Sequence, residues 1–145
     1  MAHRRGRVRR RLLKVFLDTN VLIAAFATRG LCADVFRLAA ADHTLLIGAP
    51  VLVEMRRILE TKLRMPAPAR SEVIQVLRRF VQVPAAKARI ALHINDPEDE
   101  WVVACAVAAS AEVFVTGDKA LLGLRRVENM PIISPREFWT QLTAT

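Results

Sequence analysis

The sequence predicts an α/β fold, a three-layer α/β/α sandwich with a central, mostly parallel sheet. Three observations support this prediction. From Lys14 onward, short apolar runs alternate with longer segments of helical periodicity, which is typical of parallel βαβ units. The runs are apolar throughout rather than alternating, as expected for strands buried on both faces. Finally, 53% of the 145 residues are hydrophobic, enough for a substantial core in a single domain, which we place at residues 14–145.

The N-terminus is a basic arm, predicted for residues 1–13. Residues 1–14 hold seven of the 22 basic residues and no acid, so the rest of the chain holds 15 basic and 14 acidic residues. The net charge of +8 therefore belongs almost entirely to the arm. A terminal block of like charge is typical of a flexible segment and often contacts nucleic acid, although a merely solvated extension has the same composition.

The first half of the domain is predicted to contain two strands and four helices. The elements there are, in order, a strand at residues 14–18, helices at 19–27 and 33–41, a strand at 43–48, and helices at 49–62 and 71–81. Pro68–Ala69 is an alternative start for the last of these helices. Pro50 is suited to the first turn of its helix, and the Met65-Pro66-Ala67-Pro68 segment interrupts the helical pattern.

The second half repeats the alternation. Residues 88–93 fit either a short strand or an extended connector, and both alternatives stay open here. The elements that follow are a helix at 97–109, a strand at 112–116, a short helix at 120–124, a strand at 131–133 and a helix at 136–142 that Ser134-Pro135 caps. The helix at 97–109 contains the run WVVACAVAA, which predicts that it is buried.

Cysteine and hydropathy patterns limit the protein class. Cys32 and Cys105 lie in apolar helical segments and form no CxxC pair, which predicts two buried thiols in a reducing cytoplasm and no structural zinc site. No apolar stretch approaches the roughly 18 residues that span a bilayer, and the basic N-terminus lacks an apolar signal core. We therefore expect no membrane association.

Acidic residues recur where predicted strands give way to helices. Asp18 follows the first strand, Glu54 lies one turn into the helix after the second, and Asp118 follows the EVFVT strand. Asp96, Asp99 and Glu100 share one face at the start of the buried helix. Each acid alone fits a helix cap or a surface ion pair. Because the carboxyl ends of parallel strands meet at one edge of a sheet, together they predict an acidic cluster there.

The chemistry expected of such a cluster is metal binding. Clustered carboxylates repel one another unless cations neutralise them, and oxygen ligands suit Mg²⁺ or Mn²⁺. Two such ions about 4 Å apart can activate water for phosphodiester hydrolysis. His3, His43 and His93 are not paired with a nucleophile in the sequence. Asn20 and Thr116 are expected either to position waters or carboxylates or to serve as turn residues.

Four motifs resemble the PIN-domain ribonucleases, in particular the VapC-like toxins of prokaryotic toxin–antitoxin systems. The motifs are VFLDTNVLIAAF, APVLVEMRRIL, DPEDEWVVACAVAASAEVFVTGDKALL and PIISPREF, and they cover most of the chain from Lys14 to about Trp139. The resemblance implies a catalytic, metal-binding quartet of Asp18, Glu54, Asp99 and Asp118. One alignment of the buried helix selects Asp99 for the third position and another selects Glu100, while Asp96 is a further candidate on the same face.

The resemblance also implies an activity and partners. These are a Mg²⁺- or Mn²⁺-dependent endoribonuclease acting on single-stranded or structured RNA, a cognate antitoxin protein and a homodimer. Arg56, Arg57 and Lys119, with Arg125 and Arg126, are candidates for binding phosphates, although each also fits a solvated surface position.

Two other functions are considered. A phosphotransferase of haloacid-dehalogenase type also places an aspartate after its first strand, but it needs a second aspartate where this chain has Asn20. A PIN scaffold that acts only as a nucleic-acid- or protein-binding module is the second alternative. The acids present at all four places favour a nuclease over such a scaffold.

Overall fold

The computed structural model of the chain describes residues 12–143. Residues 1–11 of the predicted basic arm lie outside this range. The elements, in chain order, are β1 (Lys14–Leu17), α1 (Thr19–Ala27), α2 (Leu31–Asp42), β2 (Thr44–Gly48), α3 (Ala49–Thr61), α4 (Ala67–Leu77), β3 (Val81–Val83), α5 (Pro97–Ala108), β4 (Val113–Val115), α6 (Lys119–Leu122), β5 (Arg126–Val127), β6 (Met130–Ile133) and α7 (Pro135–Thr143).

The strands form one sheet in the order β3-β2-β1-β4-β6-β5. Every neighbouring pair is parallel except β5 and β6, which are antiparallel. The predicted three-layer fold with a mostly parallel central sheet is confirmed. The chain builds the sheet outward from β1 through β2 to β3, then returns to add β4 on the other side of β1. The ends of β1 and β4 therefore flank the point where the strand order reverses, which is where open α/β sheets bind their ligands.

The centre of the sheet is held by close apolar packing. The rings of Phe16 on β1 and Phe114 on β4 are fully buried and stack with centroids 5.3 Å apart. Gly48 ends β2 beside them, and a Cβ atom at this position would lie 2.7 Å from Cζ of Phe16 and 3.2 Å from Sγ of Cys105. The absence of a side chain at Gly48 thus leaves room for the Phe16 ring and for Cys105 of helix α5. Close packing of these groups restricts movement of the nearby strand ends.

Most predicted elements are present with ends within two residues of those expected, but one helix needs correction and two short strands were not predicted. The helix predicted at 71–81 is α4, which begins at Ala67 and ends at Leu77, because Pro68 fits its first turn. Residues 81–83 are instead the strand β3, paired in parallel with β2. Of the two alternatives for residues 88–93, the extended connector is the correct one. The two-residue strand β5 was not predicted.

Two smaller predictions concern the cysteines and the helix ends. Cys105 is buried as expected, whereas Cys32 is only half-buried, so that part of the prediction is wrong. The cap predicted at Ser134 is present, because its backbone N–H donates to Oε1 of Glu137 at 2.9 Å and its hydroxyl accepts from the Glu137 N–H at 3.1 Å. Between residues 12 and 143, no helix is long and apolar enough to cross a bilayer.

Candidate active site

Two neighbouring strands end in polar residues at the middle of the sheet edge. Asp18 follows β1, and its backbone N–H donates to the carbonyl oxygen of Val115 at 2.9 Å. Thr116 follows β4, and its hydroxyl donates to Oδ2 of Asp18 at 2.8 Å. Both side chains are buried. The parallel register of β1 and β4 therefore places this carboxylate and this hydroxyl side by side where the strand order reverses.

Asn20 ties the two strand ends together. Its Nδ2 donates to Oδ2 of Asp18 at 3.1 Å and to the Thr116 hydroxyl at 3.3 Å, and its Oδ1 accepts from the backbone N–H of Gly117 at 2.8 Å. A Cβ atom on Gly117 would lie 3.3 Å from that Oδ1, so the absence of a side chain permits the close approach. Asn20 and Thr116 thus both hydrogen-bond to Oδ2 of Asp18, which restricts the orientation of that carboxylate.

Asp118 reaches the same edge through the turn after β4. Its backbone N–H donates to the Thr116 hydroxyl at 3.0 Å. Its Oδ1 caps helix α6 by accepting from the backbone N–H groups of Ala120 at 2.8 Å and Leu121 at 3.4 Å. Oδ2 of Asp118 has no hydrogen bond to the described residues. One oxygen of this carboxylate thus holds the turn, while the other is available to a ligand.

The carboxylate of Asp18 lies in an environment that disfavours its charge. Burial is the main effect and raises its pKa. Hydrogen bonds from the Thr116 hydroxyl and from the Thr19 backbone N–H oppose that rise, and the negative charge of Glu54 adds to it. A cation beside Asp18 would stabilise the charged form that burial disfavours.

Asp99, in the first turn of α5, carries the clearest electrostatic signal of the site. Burial and neighbouring negative charges raise its pKa from 3.8 to about 7, with burial the larger cause. The charges responsible, in decreasing order of effect, are those of Asp96, Asp18, Asp118 and Glu54. The five carboxylates therefore interact, although they come from four separate segments of the chain.

A groove runs from these acids along the starts of α3 and α5. It has a volume of about 410 Å³, and its walls include Val53, Glu54 and Arg57 on α3, and Asp96, Asp99 and Trp101 on α5. We call it the acidic groove. Oδ1 of Asp96 caps α5 by accepting from the Glu98 backbone N–H at 2.9 Å, and Glu54 lies 3.6 Å from Nη2 of Arg57. The capping interpretation of Asp96 is thus correct, and the same residue still faces the groove.

Glu100 is turned away from the other acids. It is buried, its Oε2 accepts from the backbone N–H of Leu92 at 2.8 Å, and its Oε1 lies 3.1 Å from Nη1 of Arg89. Both oxygens therefore hold the connector of residues 84–95 against α5. Glu100 is also absent from the charges that raise the pKa of Asp99. The structure separates the two candidates for the third acidic position and places Asp99, not Glu100, among the clustered acids.

The basic residues proposed from the sequence lie in different places. Arg57 lines the acidic groove, whereas Arg56 lines a second groove between α3 and α4. Lys119 is exposed directly after Asp118, and Arg125 and Arg126 are exposed farther along the chain. Arg57 and Lys119 are therefore the predicted basic residues that adjoin the clustered acids.

Comparison with known proteins identifies the family. The chain matches the family model described as a PIN domain over residues 14–120. The chain belongs to the PIN-domain family. PIN domains are generally nucleases, and phosphodiester hydrolysis is therefore the class of chemistry that the family indicates. The match leaves no support for the phosphotransferase considered from the sequence.

A solved structure shares the fold of this PIN domain. The crystal structure of VapBC2 from Rickettsia felis, bound to a DNA fragment from their promoter, contains a chain that superposes with a TM-score of 0.61. The two chains are 16% identical, and the match covers 84% of this chain and 98% of the other. No curated protein matches the chain significantly.

The residues of this PIN domain can be tested against the divalent metals that such nucleases typically use. Between residues 12 and 143, no three acidic, histidine or cysteine side chains converge closely enough to form a ready-made metal cage. Mg²⁺ does not need one, because it keeps several waters and is commonly held by one or two carboxylates. The Thr19 hydroxyl, beside Asp18, is buried without a hydrogen-bond partner among the described residues, a costly state that a ligand's water would relieve. The donor set fits a hydrated Mg²⁺ or Mn²⁺ and not a dehydrated, tightly caged ion.

Three residues of the site were not foreseen. Gly117 is required by the Asn20 hydrogen bond, a long-range contact that the sequence does not reveal. Val53 and Trp101 line the acidic groove with exposed apolar surface. The burial predicted for the WVVACAVAA run is correct for residues 102–106 but wrong at Trp101, which is 41% exposed, and at Ala108, which is also exposed. The one sequence feature that could have indicated Trp101 as a residue of the site is its position, two residues after Asp99 in the first turns of α5.

Proposed function

We propose that this PIN domain is a Mg²⁺- or Mn²⁺-dependent endoribonuclease that hydrolyses phosphodiester bonds of single-stranded or structured RNA. The observation that carries the proposal is the arrangement of acids from four segments of the chain. Asp18 and Asp118 both hydrogen-bond to the Thr116 hydroxyl where the strand order reverses, and Glu54, Asp96 and Asp99 line one groove. The raised pKa of Asp99 is consistent with this arrangement. Folding this much negative charge together lowers stability and has an evident benefit if cations are bound there.

Asp18, Glu54, Asp99 and Asp118 would hold the ions, with Asp96 as a further oxygen donor. When bound, the ions supply an activated water and charge stabilisation for the leaving oxygen. Thr116 and Asn20 fix the Asp18 carboxylate through Oδ2. Asp118 is held through Oδ1 and presents Oδ2 to the edge. These hydrogen bonds pre-orient the acids, which reduces the reorganisation that ligand binding requires.

The proposed biological setting is a toxin–antitoxin pair in the cytoplasm, with an antitoxin protein that covers the site and a homodimer of the toxin. The shared fold with VapBC2, which its structure shows bound to promoter DNA, supports a partner of this kind. Arg57 and Lys119, beside the acids, and more weakly Arg56, would contact the RNA backbone.

The basic arm would add nonspecific affinity for RNA. Deleting residues 2–11 removes six arginines. Since each neutralised phosphate contributes to the salt dependence of binding, the deletion should reduce the slope of log affinity against log salt concentration. An unchanged slope would show that the arm does not contact RNA.

A non-catalytic binding module is the alternative function. The observation that favours it is that Asp18, Asp96 and Asp118 are the N-cap residues of their helices, a role that a scaffold needs as well. The two functions differ in metal binding, because a scaffold need not bind Mn²⁺ at all.

A cleavage assay with three arms tests the proposal. Labelled single-stranded RNA and DNA would be incubated with Mn²⁺, with EDTA, and with the Asp18→Asn variant, whose folding is checked by thermal denaturation. Asp42→Asn, which changes an exposed aspartate at the end of α2, is the matched control. Metal-dependent RNA cleavage that Asp18→Asn abolishes and Asp42→Asn retains is the expected result. Neither cleavage nor Mn²⁺ binding by the wild-type protein would favour the binding module.

A further inference from the structure

Trp101 is an exposed aromatic side chain on α5, directly before the buried part of that helix. The five residues that follow it, 102–106, are all buried, whereas Trp101 is 41% exposed. No aromatic ring packs against it among the described residues. An indole placed in water in this way forgoes the stabilisation that burial would give, and aromatic residues at such sites are typical of binding surfaces.

The surroundings of Trp101 define the ligand. Val53, 65% exposed on α3, is a second apolar side chain of the acidic groove. Glu54 and Asp99 are in the same groove, and Arg57 adds a cation. A ligand there thus meets apolar surface, carboxylates able to hold divalent ions, and a guanidinium. A nucleotide has the matching parts, because its base is a flat apolar face and its phosphate binds cations.

We propose that the acidic groove binds one unpaired nucleobase of the substrate, stacked on the indole of Trp101 with Val53 beside it. This proposal rests on the proposed nuclease function and adds to it a subsite. A base held there leaves its phosphate near Glu54 and Asp99. Arg57, released from Glu54 when a cation takes its place, contacts the adjoining phosphate.

Two features favour a nucleobase over a protein segment. A volume of about 410 Å³ is in the range of small-ligand sites and is small for a helix. The walls carry four carboxylates, those of Glu54, Asp96, Glu98 and Asp99. They would repel an acidic peptide, whereas divalent cations can neutralise them and bridge them to the phosphates of a nucleotide. Because stacking needs an exposed base face, the subsite selects single-stranded segments and disfavours a continuous duplex. Every base has such a face, so the subsite tolerates different sequences.

Fluorescence of Trp101 tests the proposal. The chain has two tryptophans, so Trp139→Phe leaves Trp101 as the single reporter. This protein would be titrated with an oligoadenylate hexamer and with the same hexamer made abasic, both with Ca²⁺ in place of Mg²⁺. We expect quenching by the hexamer with bases and little change with the abasic one. Equal quenching by both would overturn the proposal, because it would show a phosphate contact without stacking.

Affinity measurements on variants complete the test. Trp101→Ala should weaken hexamer binding about tenfold, and Trp101→Phe should retain most of the affinity, since a phenyl ring still stacks. Leu63→Ala is the matched control, because Leu63 is also 41% exposed but lies outside the acidic groove. Unchanged affinity in Trp101→Ala would refute the subsite. A fluorescence change that follows protein concentration instead of the hexamer would also refute it, and would identify a surface for a second copy.

Mn²⁺ affinity separates this proposal from the function on which it rests. Trp101→Ala removes no carboxylate, so its Mn²⁺ affinity should equal that of the wild-type protein while its RNA affinity falls. A wild-type protein that binds no Mn²⁺ would refute the nuclease function whatever the fluorescence shows. A wild-type protein that binds Mn²⁺ and cleaves RNA, with Trp101→Ala cleaving equally well at low substrate concentration, would refute the subsite alone.

Discussion

Asp99→Asn should make the metal-free protein more stable and the metal-bound protein less stable than the wild type. In the folded chain without metal, the Asp99 carboxylate is partly buried among four other acids, which raises its pKa from 3.8 to about 7. An asparagine has nearly the same shape and carries no charge. It therefore removes both the desolvation of the carboxylate and the repulsion that it experiences.

The size of the effect follows from the pKa. At 1.36 kcal/mol per pKa unit, a rise from 3.8 to about 7 corresponds to at most about 4 kcal/mol. Asp99 is partly exposed, so solvent screening reduces this to about 2 kcal/mol. For a domain of this length, that is a rise in Tm of about 6 °C.

The sign of the pH dependence is fixed by the same pKa. Below pH 3.8 the carboxyl group of Asp99 is protonated in both the folded and the unfolded chain, so it does not lower the free energy of unfolding. Between pH 3.8 and about 7 the unfolded chain loses its proton first, and the free energy of unfolding of the wild-type protein falls as the pH rises. Above pH 7 Asp99 is ionised in both states, and its effect on the free energy of unfolding no longer changes with pH. Asp99→Asn lacks this contribution, so its advantage in EDTA should grow from pH 4 to pH 7 and then level off.

Thermal denaturation in EDTA and in Mn²⁺, at several pH values, measures both effects. With Mn²⁺ the order should reverse, because the wild-type protein gains more from a ligand that binds only the folded state. Glu72→Gln, an exposed acid on α4, is the control and should shift Tm little under either condition. A variant no more stable than the wild type in EDTA at pH 8 would refute the electrostatic argument for the cluster.

Three further changes test the supports of the site. Thr116→Val keeps the shape of the side chain but removes the hydroxyl that donates to Asp18, and should lower Mn²⁺ affinity 10- to 100-fold by isothermal titration. Glu100→Ala should cost about 2 kcal/mol in urea denaturation, because it removes the buried acceptor of two hydrogen bonds, while leaving Mn²⁺ affinity unchanged. Gly48→Ala should cost about 2 kcal/mol in the same assay, because its Cβ would overlap Phe16.

For each of these three variants, one result would contradict the prediction. Full Mn²⁺ affinity in Thr116→Val would show that the Asp18 carboxylate needs no hydroxyl to orient it. A loss of Mn²⁺ affinity in Glu100→Ala as large as that in Asp99→Asn would restore Glu100 as a ligand. For the glycine, Gly123→Ala is the control, since a Cβ there would make only ordinary contacts. Equal stability of the two glycine variants would contradict the packing argument.

The sequence was most informative where chemistry and local structure coincide. An apolar strand followed directly by a polar residue and a helix marks the carboxyl edge of a parallel sheet. The sequence alone therefore predicts that Asp18 and the Thr116–Asp118 turn lie at the same edge, in agreement with the parallel pairing of β1 and β4. The helix-start acid Asp96 was open to two interpretations, cap and site; it caps α5, and it also lines the acidic groove. A carboxylate has two oxygens, and one of them suffices for a cap.

The remaining features depend on contacts between distant residues. Asp99 and Glu100 are adjacent in sequence, and only the connector, through Leu92 and Arg89, determines which of them turns away from the acidic cluster. Strand β3 is three residues long and exists because β2 offers it a partner, so its own composition gives little signal. Apolar composition predicted that Trp101 would be buried, but the groove between α3 and α5 leaves it exposed.

Three of the clustered acids, Asp18, Asp96 and Asp118, are also the N-cap residues of their helices. Selection for folding alone would therefore retain these aspartates in a descendant that had lost catalysis. An intact set of acids is weak evidence of activity in this fold. Asparagine caps a helix about as well as aspartate but carries no charge. Asparagine at these three positions is thus the substitution that would mark a relative of this chain as having kept the fold and lost the acidic cluster.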